Sequence, residues 1–483
     1  MKKLLWLFPV LFLIDDILGI NGYQFTIFGF GLRIILFALS MGVLCLYCLG
    51  IFLKDRYALW KRIPERPRLF DLLKPIDGFV AGFVLINFLW ATIIPLLVRG
   101  ERMFALKDFS TVLVLALYFP CAFLMRTGHM RFSGLRKWLM PLLLLLALWH
   151  TVMYIGEVFA PGFYEGYYDF IDIISFGTAV RTDVIFGFGI TRIIQVTSLF
   201  LLPALFLILE QFGKKRWYWG IPALALVLFA ILITYTKSIW YGALAGILVA
   251  MAGILIFLKN NKARKQILGF GLAFVLLFCL FNFGFLHNTV ISRSLNSSRP
   301  NSLSSIDEQI ASLQSQLDSM QADPTGPSMD NEEWEKLQNQ LENLTHQRQD
   351  AAGTAEANSL RAKQNEVLLK KWSESKWLGF GYGAYAEDCI RNENFPFMYE
   401  SLIPALLMKL GIVGMLAWGA FVLALVVFAV KAMWKKPLHF WCWIGMALSY
   451  AMAVQTNPFL FTFAGFSLML YLLLYLTGAQ EES

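Results

Sequence analysis

Apolar stretches long enough to cross a bilayer follow one another along this 483-residue chain, and one long hydrophilic stretch, residues 287–400, interrupts them. A membrane-spanning helix needs about 20 consecutive, predominantly apolar residues to cover the hydrocarbon layer. Such windows lie at residues 4–21, 30–53, 77–98, 109–125, 138–155, 193–209, 218–235, 239–258, 267–286, 402–430, 440–456 and 459–476. Strands of a membrane barrel would alternate polar and apolar residues, and these windows do not. The expected fold class is all-α: a polytopic helical membrane protein of about 12 transmembrane helices with a large extracytoplasmic loop. Composition agrees, with 58% hydrophobic and 15% charged residues, against about a quarter charged in soluble domains. Residues 1–286 and 401–483 form the expected membrane domains of about nine and three spans, with 287–400 as the extracytoplasmic domain.

The orientation follows from where the basic residues lie. With a cytoplasmic amino terminus, the inside connections 54–75, 126–137, 210–216, 259–266 and 431–438 carry 7, 4, 3, 4 and 3 Lys or Arg. The outside connections 99–108 and 234–238 carry 3 and 1, and the longer 156–192 holds only Arg181 and Arg192. This asymmetry predicts both termini inside and the hydrophilic stretch outside. It also explains the net charge of +8 without a nucleic-acid partner. The six cysteines are scattered, and Cys389 is the only one in 287–400, so no internal disulfide is expected there. Met1-Lys2-Lys3 precedes an apolar run that Asp15 and Asp16 interrupt. No small-residue cleavage site is clear, so that run reads as a retained helix.

The hydrophilic stretch has two parts. Ile306, Ile310, Leu313, Leu317 and Met320 alternate four- and three-residue steps, a coiled-coil seam opened by a Ser305–Glu308 capping box. Residues 323–327, Asp-Pro-Thr-Gly-Pro, break the helix. Asp330 and Glu333 then cap a second helix with its own seam of Trp334, Leu337, Leu341 and Leu344. Two such seams about a Pro-Gly turn predict an antiparallel hairpin over 302–350, read as a spacer or an oligomerising insertion. The second part, 358–400, sets Arg361, Gln364, Leu368 and Lys371 or Trp372 near one helical face. It then enters the glycine-rich turn Gly379-Phe380-Gly381-Tyr382-Gly383 and ends in Tyr399-Glu400 at the mouth of the next span. Glycines allow positive φ and close backbone approach. No strand precedes this turn, which argues against a dinucleotide site.

These residues resemble a family signature. Arg361, Trp372, the Leu378–Gly383 turn and Leu410-Gly411-Ile412-Val413-Gly414 are similar to the pattern of the O-antigen ligase and O-antigen polymerase superfamily. Thr234-Tyr235-Thr236-Lys237-Ser238 resembles that family's Thr-x-Ser-Arg turn, and Arg181 with Gly187 or Gly189 and Leu202-Pro203 its upstream element. The resemblance implies transfer of a saccharide from an undecaprenyl pyrophosphate carrier to an acceptor at the outer membrane face, with neither metal nor other cofactor. It implies Arg361 as the main pyrophosphate clamp, since a guanidinium fork binds phosphate oxygens in pairs. Lys237 would be a supporting cation, with Arg181 or its rival Arg192; Gly379, Gly381, Gly383 and Trp372 would contact substrate. Ligases of the family carry a histidine just before the tenth span. Here 395–400 reads Phe-Pro-Phe-Met-Tyr-Glu, which favours a polymerase with Glu400 taking the acceptor's proton. Expected partners are the lipid-linked oligosaccharide, membrane lipid and a chain-length regulator or flippase.

Each of these residues also has a plain reading. Arg361 meets the acidic hairpin or lipid headgroups, Lys237 snorkels, and Glu400 flanks a helix start whose dipole it suits. His150 and Arg33 read as satisfied interior or interfacial groups. Tyr164, Tyr167 and Tyr168 beside Asp169 and Asp172 suit sugar rings or an interfacial aromatic belt. A transporter or flippase would instead carry coupling charges or broken helices at the midplane.

Overall fold

The computed structural model describes residues 23–27, 30–54, 72–98, 104–163, 165–167, 169, 179–181, 193, 195–213, 217–286, 290–291, 302–322, 331–390, 393 and 395–481. Thirteen helices carry the architecture among these residues. They are α1 (Leu32–Lys54), α2 (Pro75–Thr92), α3 (Ala105–Arg126), α4 (Phe132–Phe159), α5 (Leu201–Gly213), α6 (Trp217–Leu232) and α7 (Lys237–Phe257). There follow α8 (Asn261–Cys279), α9 (Ser302–Ala322), α10 (Asn331–Glu374), α11 (Leu402–Met433), α12 (Pro437–Ala453) and α13 (Phe463–Glu481). Eight helices among the described residues are long and apolar enough to cross a membrane, and Val196–Phe212 and Trp219–Leu232 are shorter apolar ones. With the 17-residue α12, every expected span but the first has its helix; 4–21, with Asp15 and Asp16, lies outside the described residues. The fold is an all-α polytopic membrane protein. Three short strands, Tyr23–Ile27, Phe30–Gly31 and Ala179–Arg181, add one small antiparallel patch in which the first strand is central.

Small residues decide where helices meet most closely. Gly242 and Gly246 of α7 face Gly445 and Ser449 of α12, four residues apart on each helix. A methyl group at Gly246 would fall 2.4 Å from the Gly445 carbonyl oxygen, so the backbones touch only because it is absent. The Ser449 hydroxyl donates to the Gly242 carbonyl at 2.7 Å and seals the contact. Lipid offers apolar side chains as good a home as another helix does, so such close van der Waals packing and interhelical hydrogen bonds drive association.

Charged groups inside the bundle are paired. Arg126 grips Asp77 at 2.5 and 2.9 Å, and the Tyr118 hydroxyl donates to the same carboxylate at 2.8 Å. Arg136 pairs with Glu210. His150 is fully buried, its ring nitrogens 3.0 Å from the Leu146 carbonyl and 2.9 Å from the Ser198 hydroxyl. The Arg33 guanidinium lies 5.9 Å from the centre of the Phe463 ring.

The expected hairpin is present as α9 and α10, but its limits differ. Helix α9 starts at Ser302, ahead of the Ser305 box, because Leu303 extends the seam one step and is half-buried. Helix α10 runs unbroken for 44 residues from the hairpin to Glu374. The boundary expected between hairpin and site loop, near 350–358, therefore falls inside one helix; that segment holds no proline and several alanines, which favour continuation. The breaker 323–327 and Asp330 lie outside the described residues.

Candidate functional site

The carboxyl end of α10 turns its Gln364–Leu368 face inward. Gln364 is 4% and Leu368 0% exposed. The Gln364 side-chain oxygen accepts from the backbone N–H groups of Glu400 at 3.1 Å and Ser401 at 3.3 Å, tying α10 to the entrance of α11. One turn earlier, Arg361 donates through Nε to Glu400 Oε2 at 2.8 Å. Both side chains keep partial access to solvent, 35% and 22%. A cation and a carboxylate thus stand side by side at the corner where the hydrophilic stretch re-enters the membrane domain.

Beyond α10 the chain wedges into the bundle. Helix α11 is broken at Gly411, whose φ of 61° and ψ of −171° leave neighbouring peptide groups without helical partners. Residues 376–381 supply those partners. The N–H groups of Phe380 and Gly381 donate to the carbonyls of Met408 and Lys409, and those of Ile412 and Val413 to the carbonyls of Lys376 and Trp377. The Trp90 indole of α2 donates to the carbonyls of Leu378 at 2.8 Å and Leu410 at 3.0 Å, stapling both sides of the break. The glycine turn and the Leu410–Gly414 stretch therefore form one hydrogen-bonded unit. An unsatisfied peptide group at this depth would cost several kcal/mol, and that cost is what couples the two stretches.

The three glycines have φ of 65°, 88° and 76° at 379, 381 and 383. Each packs its backbone against another segment: Gly379 on Lys409 and Gly411, Gly381 on Pro95 and Trp90, Gly383 on Phe104 and Ala105. Their N–H groups, expected from the sequence to face a ligand, donate instead to Ser375, Lys409 and Asp108. Trp372 is half-buried, its indole donating to the Lys376 carbonyl at 3.0 Å.

Beneath the turn lies a fully buried ion pair. Lys409 of α11 meets Asp108 of α3 at 2.6 Å, with neither side chain exposed. The same Asp108 oxygen accepts the Gly383 N–H at 2.8 Å. The Lys409 ammonium also sits 3.9 Å from the Phe461 ring centre and 5.3 Å from that of Phe397. Tyr382 descends beside it, donating to Asn87 at 2.5 Å, while Trp418 donates to the same Asn87 oxygen at 3.0 Å. Further out, the Tyr399 hydroxyl accepts the Ala386 N–H at 2.7 Å. Burial holds the Tyr382 and Tyr399 phenols well above their usual range, so both stay protonated. Sequence reasoning missed Asp108 and Lys409. The available signal was Lys409, a lysine inside the expected span 402–430 and costly there unless paired, whereas Asp108 read as the last residue of an outside connection.

Lys237 is the first residue of α7, after a turn in which Tyr235 takes a φ of 47°. Its neighbour Ser238 accepts from the Asn457 amide at 2.7 Å, and the Gln455 carbonyl accepts the Leu402 N–H at 3.3 Å. The 455–457 turn therefore touches both the start of α7 and the start of α11, where Glu400 stands. Arg181 lies on the third strand, its backbone opposite Tyr23. Arg192, Tyr164, Tyr168 and Asp172 lie outside the described residues.

Residues 222–419 match the protein family described as O-antigen ligase. This stretch includes Lys237, Arg361, the glycine turn, Glu400 and the break at Gly411; Asp108, Arg181 and Trp90 precede it. No curated protein matches the chain.

Proposed function

We propose, from the premise that the chain carries an O-antigen ligase domain, that it is a polysaccharide polymerase working on lipid-linked repeat units. It joins an undecaprenyl-pyrophosphate-linked glycan to an acceptor sugar hydroxyl at the outer face of the cytoplasmic membrane. In the transfer, the acceptor oxygen forms a bond to the anomeric carbon while the bond from that carbon to the pyrophosphate oxygen breaks. The hydroxyl proton goes to Glu400, and the lipid pyrophosphate leaves with the bonding electrons. Arg361 and Lys237, with Arg181 or Arg192, neutralise the charge growing on the leaving group. Fixed cations in a site of low dielectric do this strongly because they need no reorganisation. Gly379, Gly381, Gly383 and Trp372 shape the corner that carries Arg361.

The observation that carries this reading is the Arg361–Glu400 pair, half-exposed at the re-entry corner. A group to hold a diphosphate and a group to accept a proton lie within one hydrogen bond of each other. Arg361→Ala should abolish polymer and leave single repeat units on the lipid carrier, seen on a gel of lipid-linked glycan. Polymer of normal length and amount from that variant would refute the assignment.

The family match is equally compatible with a second reading, in which finished glycan is transferred to a lipid or protein acceptor. Removing the chain would then leave long polymer on the carrier in place of short units, so one gel separates the two. A chain-length regulator or flippase is the partner each reading calls for.

A further inference from the structure

The end of the bundle remote from Arg361 holds a groove of about 820 Å³ between α2 and α11. Its walls are Ile76 and Phe79 of α2 and Ala420, Leu423, Ala424 and Val427 of α11, with Lys74 and Lys431 also lining it. The groove follows from the sequence. Ala420 and Ala424, four residues apart on one helical face, leave room that larger side chains would fill. Phe79 and Phe428 meet edge to face at 5.6 Å and close one side. This volume is within the range that holds small organic ligands, roughly 300–1,000 Å³.

The lysines lack compensation among the described residues. Asp77, the one acid in the first turn of α2, is taken by Arg126 and Tyr118, and from Lys74 it accepts the backbone N–H rather than the ammonium. Lys74 and Lys431 are both exposed, and Lys435 adds a third exposed cation one turn beyond Lys431. Two cations above an apolar slot match a molecule with an anionic head and hydrocarbon chains. Basic pockets between spanning helices recognise anionic lipid headgroups by this combination.

We propose that this groove binds an anionic glycerophospholipid, its acyl chains along α2 and α11 and its phosphate between Lys74 and Lys431. The lipid belongs to the leaflet opposite the candidate site. Helix α2 runs from the groove to Trp90 under the glycine turn, and α11 from Glu400 to Lys431, so each spans the distance between them. A lipid held here is therefore not the pyrophosphate substrate, and the inference does not depend on the proposed reaction.

The test is native mass spectrometry of the whole chain in mild detergent, titrated with phosphatidylglycerol or phosphatidylethanolamine. The wild type should retain phosphatidylglycerol about tenfold or more better. Lys74→Glu with Lys431→Glu should erase that preference, and Ala420→Phe should weaken retention of both lipids by filling the slot. Should the reversal disturb folding, Lys74→Gln with Lys431→Gln reads the same effect. Equal retention of the two lipids by the wild type would overturn the proposal. So would a preference that survives loss of both lysines; that result would place the anionic headgroup on another cation such as Lys435, outside the groove lining.

Discussion

In the hairpin, Ile306 and Leu317 of α9 are buried between the two helices, half-buried Leu337, Leu341 and Leu344 of α10 continue the seam, and Arg348 pairs with Asp307 in the open. In the glycine turn, a few residues later, peptide groups and side chains answer to partners in α2, α3 and α11. The hairpin satisfies itself, whereas the turn is completed by the membrane domain and completes it in return. Consecutive parts of one hydrophilic stretch thus differ in what they owe to the rest of the chain. Hydrophilicity told where the stretch leaves the membrane, and it said nothing about which part could be removed.

The sharpest way to break this comparison is to add a side chain where the turn meets α11. A Cβ at Gly411 would fall 2.4 Å from the Trp377 carbonyl oxygen, and one at Gly379 would fall 2.5 Å from that of Lys409. Gly411→Val or Gly379→Val should leave no monodisperse protein on size-exclusion chromatography in detergent. Backbone strain alone costs about 1–3 kcal/mol at such positions, before any clash. Next is Lys409→Met, which strands Asp108 as a buried unpaired carboxylate. A loss of roughly 3–5 kcal/mol is expected for breaking such a pair, read as a large fall in the thermal midpoint. A midpoint equal to wild type would mean the pair does not anchor the turn.

Smaller is Tyr382→Phe, which removes one donor but leaves Trp418 on Asn87. It should cost about 0.5–1.5 kcal/mol, checked in the same melt. Smallest is Arg348→Ala in the hairpin, whose pair is half-exposed and screened by solvent. No change in thermal midpoint is expected, and replacing most of the hairpin with a short linker should leave the membrane bundle folded. An unfolded bundle after that excision would erase the contrast.

Much of the fold was legible from the chain. The spans follow from apolar length and the hairpin from its two seams, because both are local patterns with a fixed period. At the site, Glu400 was legible as a polar residue at the mouth of a span and Arg361 and Gln364 as residues of one helical face, the role of Arg361 coming from the family resemblance. What was hidden is the non-local part. Trp90 bonds to Leu378 and Leu410 across 288 and 320 residues of sequence, and no periodicity announces such a pairing. The glycines were readable as positions of unusual backbone, yet their role in packing against Gly411 needed the partner in view. The Gly242, Gly246, Gly445 and Ser449 contact likewise becomes meaningful only when the two helices are placed together.

The unbroken course of α10 has a mechanical consequence. At 1.5 Å per residue its 44 residues make a rod about 66 Å long, with the hairpin gripping one end and Arg361 near the other. A stiff rod does not absorb a displacement along its length; it delivers it. A displacement of the hairpin along that axis is therefore carried to the guanidinium beside Glu400, where Arg361 and Gln364 tie the rod to the start of α11.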